Sequence, residues 1–186
     1  MQKAVEISMK ICLLGAFGVG KTSLARRFVQ NVFDERFLTT IGVQISQKSL
    51  SRLKESGSRA PVSIKFILWD LAHIDEMDDV IKKYLFGSHG AVLVSDITRP
   101  ESFDQSIEFL LAFREINPNS QVVFTVNKCD LLAPDHPNFD LFREKIDGSI
   151  NGPLFFTSAK NGDRVEEAFY QLGNMHLEAV TGERLA

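Results

Sequence analysis

Residues 13–24 read LLGAFGVGKTSL and contain Gly15-x-x-x-x-Gly20-Lys21-Thr22, a composition and spacing suited to holding phosphate. An apolar run leads into the loop and a helix-like run follows it, the context a P-loop requires. Successive backbone N–H groups around Gly18 and Gly20 would line a concave nest, and the helix N-terminus adds its positive dipole. Lys21 would reach the β- and γ-phosphates, and the Thr22 hydroxyl would ligate Mg²⁺. The bland alternative is a glycine-rich turn that binds nothing. Phe17 is the odd member, a large ring in a loop of otherwise small side chains.

Three further motifs follow apolar runs. LWD (68–70) ends in Asp70, which could hold magnesium through a water. Taken alone, an aspartate closing a strand is more often a helix cap or a solvated turn. NKCD (127–130) places Asp130 where its carboxylate could accept from the ring N–H and exocyclic amine of guanine, an edge that adenine lacks. Asn127 could tie this segment to the P-loop, and the stem of Lys128 could cover the base. In TSAK (157–160), the backbone N–H of Ala159 could meet the guanine carbonyl oxygen. Either tetrapeptide by itself could be a chance turn. Their order downstream of a P-loop argues against coincidence.

The elements that must position these residues alternate along the chain. Short β-branched or aromatic runs at 8–14, 62–69, 91–96, 121–127 and 153–158 read as strands. Helix-length segments lie at 21–30, 76–86, 101–116, 138–147 and 164–179. The helix at 101–116 is expected to bury Phe103, Ile107, Leu110, Leu111 and Phe113, and the last helix Val165, Ala168, Phe169, Leu172 and Met175. Segment 41–53 alternates and reaches 62–69 through a polar loop, so the pair reads as a hairpin. The expected fold is α/β: a mostly parallel six-stranded sheet of P-loop NTPase type, with one antiparallel edge strand and flanking helices. Ligands are expected at the carboxyl ends of its strands.

Bulk properties agree. The 186 residues suit one domain spanning 1–186, and 44% hydrophobic with 24% charged residues is ordinary for a globular protein. A net charge of −3 argues against a nucleic-acid partner. No run of 18 apolar residues and no leader is evident. Cys12 and Cys129, both read as lying in strand-like runs, do not form a disulfide framework, which fits the cytoplasm.

Together these motifs resemble the Ras superfamily of small GTPases, closest in pattern to its Rab branch, from Met9 to about Val180. TTIGVQI (39–45) resembles the first switch of Rab-type proteins, WDLAHIDE (69–76) aligns with the second, and SDITRPESF (95–103) resembles the family's strand-to-helix passage. The resemblance implies a GTP/GDP and Mg²⁺ site built from Gly18, Val19, Gly20, Lys21, Thr22, Ser23, Phe33, Thr40, Asn127, Lys128, Asp130, Ser158, Ala159 and Lys160. It implies magnesium at Thr22, Thr40 and, through water, Asp70. Phe33 would lie edge-on against the guanine; on local context it also reads as a plain core aromatic. Effectors and exchange factors are the implied partners, on segments 33–45 and 70–86, with the chain a monomer.

Three positions depart from the family. Phe17 replaces a small residue, His73 a glycine, and Ile74 the glutamine that orients the attacking water. Isoleucine neither donates nor accepts a hydrogen bond. Phe17 is expected to point towards the γ-phosphate and pack on Ile74, keeping out water and an arginine finger. His73 reads as a surface residue, Asp75, Glu76, Asp78 and Asp79 as a solvated helix start, and His89, His136 and His176 as structural. The site keeps its binding residues and loses chemistry, so hydrolysis is expected to be slow. The alternative is a pseudo-GTPase that holds nucleotide as a scaffold; a nucleotide kinase would leave NKCD and TSAK without a role. The segment TGERLA (181–186) shows no lipid-anchor cysteine, and the long 54–61 loop has no evident purpose.

Overall fold

The structure is a computed structural model that describes residues 5–33, 42–51, 62–71, 79–147 and 152–181. Its six strands are β1 (Val5–Leu14), β2 (Val43–Ser51), β3 (Val62–Leu71), β4 (Gly90–Asp96), β5 (Gln121–Asn127) and β6 (Leu154–Phe156). They lie in the order β2-β3-β1-β4-β5-β6. β2 pairs antiparallel with β3, from Val43 opposite Leu71 to Ser51 opposite Ser63, and the remaining neighbours run parallel. The expected hairpin and antiparallel edge are therefore present, while the 54–61 loop falls outside the described residues.

Alternation along β1 explains the two-sided core. Met9, Ile11 and Leu13 point to one face, where they meet Leu24 and Phe28 of α1 (Lys21–Gln30) and Phe169 and Leu172 of α5 (Val165–Thr181). Cys12 and Leu14 point to the other, against Leu85 of α2 (Asp79–Leu85), Phe103 and Phe113 of α3 (Glu101–Ile116), and Phe142 of α4 (Asn138–Asp147). The rings of Phe28 and Phe169 stack at 4.0 Å and are fully buried, which for a phenylalanine is worth about 1.5–3 kcal/mol each. Among the described residues no helix is long and apolar enough to cross a membrane.

Several expectations need correction. Leu111 does not face the core: it is 61% exposed, and α3 instead buries Phe103, Ser106, Phe109, Leu110 and Phe113. Leu111 sits 100° around the helix from Leu110, so a core centred on Leu110 turns its neighbour outward. Cys129 lies not in a strand but in a short 3₁₀ turn after β5, and both cysteines are free. β6 is three residues long, because the Ser158 N–H already turns back to the Asp163 carbonyl at 3.1 Å. Ile107 in α3 and Met175 in α5 are only half-buried, whereas Val165, Ala168, Phe169 and Leu172 of α5 are buried.

Where β1 meets the amino end of β4, the Lys10 N–H donates to His89 Nδ1 at 3.0 Å, and the His89 ring meets His176 edge-on at 5.1 Å. Burial lowers both histidine pKa values; Lys10 adds to this at His89, and His89 adds to it at His176. An unfolded histidine takes a proton near pH 6.5, whereas these resist it, so the unfolded chain binds more protons below that pH. The contribution is complete above pH 6.5 and is lost as pH falls through it. The melting temperature is expected to drop between pH 7 and pH 5.5, and His176→Phe should flatten this dependence. A flat profile in the parent protein would count against it.

Candidate functional site

Strand order reverses at β1, which has β3 on one side and β4 on the other, and this opens a crevice at its carboxyl end. The loop from Gly15 to Gly20 fills that position. Gly15 has φ 150°, and a Cβ there would lie 2.1 Å from the Val94 carbonyl oxygen of β4. Gly20 caps α1 at φ 101°, and its Cβ would lie 2.3 Å from Asn127 Nδ2. Both positions therefore need glycine for conformation and for room. Lys21, buried at the helix start, donates to the carbonyls of Gly15 at 2.7 Å and Ala16 at 3.0 Å, so its ammonium crosses the inside of the loop. Gly18, Val19 and Ser23 lie on the same turn and first helical residues, with Val19 wholly buried.

Beside it, β3 brings Asp70 to α1. The Thr22 hydroxyl donates to Asp70 Oδ2 at 2.5 Å. The other oxygen, Oδ1, is the buried side-chain polar atom that lacks a hydrogen-bond partner among the described residues. Burial pushes the Asp70 carboxyl above its ordinary range, despite Thr22, Lys21 and Arg26 working the other way. A buried carboxylate with an unused oxygen next to a hydroxyl is a donor set short of positive charge, and hard oxygen ligands suit Mg²⁺. The residues present fit that ion. Thr40, the third expected magnesium residue, lies outside the described residues, as do His73 and Ile74.

The residues expected on the base side lie at the end of β5 and in the turns after β5 and β6. Asn127, 1% exposed, donates from Nδ2 to the Val19 carbonyl at 3.0 Å and accepts on Oδ1 from the Ala159 N–H at 3.0 Å. It thus ties both the phosphate loop and the TSAK turn to β5, as its place in NKCD suggests. The Ala159 N–H, expected to face a guanine oxygen, already has Asn127 as its acceptor here. Ser158 donates its hydroxyl to Asp130 Oδ1 at 2.5 Å and orients that exposed carboxylate. Lys128 adopts φ 67°, and its ammonium reaches Asp96 Oδ2 at 2.6 Å. Burial pushes the Cys129 thiol up to about 12, so it is no nucleophile. Phe33 is half-buried against the core on the α1 and α5 side, as a core aromatic would be.

Sequence patterns missed three residues that hold these parts. Arg27 of α1 donates from Nε to the Ala159 carbonyl at 2.7 Å and from Nη2 to the Lys160 carbonyl at 2.5 Å. Asp96 and Arg99 stand between the base and phosphate loops, and Arg99 Nη2 donates to the Phe17 carbonyl at 2.8 Å. An aspartate closing a wholly buried strand was the available signal for Asp96; Arg27 has no local signature. The Phe17 side chain is 48% exposed, and its expected contact with Ile74 lies outside the described residues.

Comparison with known proteins places these motifs in context. A family model described as Ras family matches residues 10–178. Ras-related protein SEC4 of Candida albicans is 30% identical over 188 residues, covering 98% of this chain and 84% of that protein. Ras-related protein Rab-31 of Mus musculus is 35% identical over 162 residues, 87% of this chain and 79% of its own. Ras-related protein Rab-22A of Homo sapiens is 33% identical over 165 residues, 88% of this chain and 81% of its own.

Proposed function

Because the chain belongs to the Ras family, as a Rab-like small GTPase, we propose that it binds GTP and GDP with Mg²⁺ and works as a slow switch in the cytoplasm. The observation that carries this reading is Asn127, whose amide joins Val19 of the phosphate loop to Ala159 of the base-side turn. A site tied in this way suits a ligand with phosphate at one end and a purine at the other. Asp130 reads the guanine edge, with Ser158 holding its second oxygen in place. Lys21 serves the phosphates, while Thr22, Asp70 and Thr40 serve the metal. Magnesium, when bound, would neutralise charge on the phosphates.

Effectors and exchange factors dock on segments 33–45 and 70–86, which the γ-phosphate orders through Thr40 and the second switch. In support, Ile45 lies opposite Trp69, whose ring is 6.1 Å from Tyr84, so the flanks of both segments share one apolar surface. Ile45 in the first segment and Val80 and Phe86 in the second are each at least half exposed. A nucleotide-holding scaffold without turnover is the second reading, favoured by Ile74, which offers a water no hydrogen bond.

Competition against a fluorescent GDP analogue tests the function. GDP and GTP are expected to displace it at far lower concentration than ADP or ATP, and a magnesium chelator should speed its release. Thr22→Asn should weaken GTP more than GDP, because the triphosphate state leans harder on the ion. Equal competition by ADP would sink the guanine assignment. Chelator-insensitive binding, with GTP affinity unchanged in the variant, would remove magnesium.

A further inference from the structure

We propose that Asp96 and Arg99 form a strap joining the phosphate loop to the base-reading loop, with Arg99 a positioning residue for bound nucleotide. This rests on the guanine-nucleotide reading above and adds a tie separate from Asn127. Asp96 closes β4 with its side chain 2% exposed, and its Oδ2 takes the Lys128 ammonium at 2.6 Å and Arg99 Nε at 3.4 Å. The other oxygen accepts from the Thr98 N–H at 3.0 Å and the Thr98 hydroxyl at 2.7 Å. Burial pushes the Asp96 carboxyl up, but the bonds from Lys128 and Thr98 outweigh it and leave it below the ordinary range. It remains a carboxylate.

The turn carrying Arg99 is closed by hydrogen bonds. Its N–H returns to the Asp96 carbonyl at 2.9 Å, and the Ser102 hydroxyl donates to the Arg99 carbonyl at 2.6 Å. From that turn the guanidinium extends to the Phe17 carbonyl at 2.8 Å, and Nη2 would stand 3.8 Å from a Cβ placed on Gly18. A planar fork can meet Asp96 with one nitrogen and Phe17 with another, which a single ammonium cannot do. The backbone of residue 17 is thereby held from outside the loop by its carbonyl, leaving the Phe17 ring 48% exposed. One carboxylate with two cations also leaves a surplus positive charge beside the nest, the sign a phosphate needs.

The test is the rate at which full-length, Mg²⁺-loaded protein releases a fluorescent GDP analogue. Arg99→Ala is expected to release it about three- to tenfold faster, a charged hydrogen bond discounted for partial exposure. Arg99→Lys should release it nearly as fast as Arg99→Ala, since charge without the fork does not span both acceptors. In an Asp96→Asn background, Arg99→Ala should add less than it does in the parent. Release by Arg99→Ala within twofold of the parent, or a parental rate in Arg99→Lys, overturns the strap. So does strict additivity with Asp96→Asn. If Asp96→Asn does not fold, the two Arg99 variants still decide. A parent that binds no guanine nucleotide overturns the function reading, and the strap falls with it; a parent that binds normally beside indifferent Arg99 variants overturns the strap alone.

Discussion

The combined change Phe17→Gly, His73→Gly and Ile74→Gln is expected to raise intrinsic GTP hydrolysis about tenfold or more, and to restore a response to an arginine-donating activator. Positioning the attacking water and admitting an arginine are separate requirements, and a supplied arginine alone is worth on the order of 10³–10⁵ in rate. On the reading proposed above, Ile74 leaves the first unmet, because its side chain has no donor or acceptor. On the same reading Phe17 opposes both, as a bulky ring 48% exposed on the loop whose carbonyl is held by Arg99 at 2.8 Å. Either single change, at 17 or at 74, should therefore do little, since the remaining defect still limits the rate. Single-turnover hydrolysis of GTP, with and without an activator, is the measurement. If the unmodified protein turns over GTP as fast as ordinary relatives, another residue positions the water, and His73 or Asp75 becomes the first suspect. No turnover in the parent, with nucleotide tightly held, would favour the scaffold.

Asp130→Asn is expected to reverse base choice. In the parent, Ser158 occupies Oδ1 at 2.5 Å, which leaves the rest of the carboxylate to accept from the guanine edge. An amide at 130 would give its oxygen to Ser158 and turn its NH₂ outward, where it meets the guanine donors with another donor. Leaving two base donors unpaired costs about 1–3 kcal/mol each, so GDP affinity should fall by about 30-fold to 10⁴-fold. Xanthine presents a carbonyl in place of the amine, so XDP should gain. Ser158→Ala should cost much less, because it removes an orienting bond and leaves both acceptors. The ratio of XDP to GDP competition reads this directly, and a variant that keeps the parental preference for GDP would remove Asp130 from base reading.

The sequence by itself determined the parts whose causes are local. The boundaries of α1 at 21–30, α3 at 101–116 and α4 at 138–147 are legible because apolar spacing, glycines and turn residues act within a few positions. The phosphate loop is legible for the same reason: its glycines, lysine and threonine lie within eight residues. The inward face of α3 was only partly legible, since Leu110 and Leu111 are both apolar and only the position of the sheet selects the first. Tertiary structure alone decided the bonds that turn four motifs into one site. Asn127 to Val19 spans 108 positions, Arg99 to Phe17 spans 82, and Arg27 to Ala159 spans 132. Each is a side chain meeting a backbone carbonyl. Every residue type carries a carbonyl, so sequence cannot mark the acceptor; the strand order β3-β1-β4-β5-β6 brings donor and acceptor together.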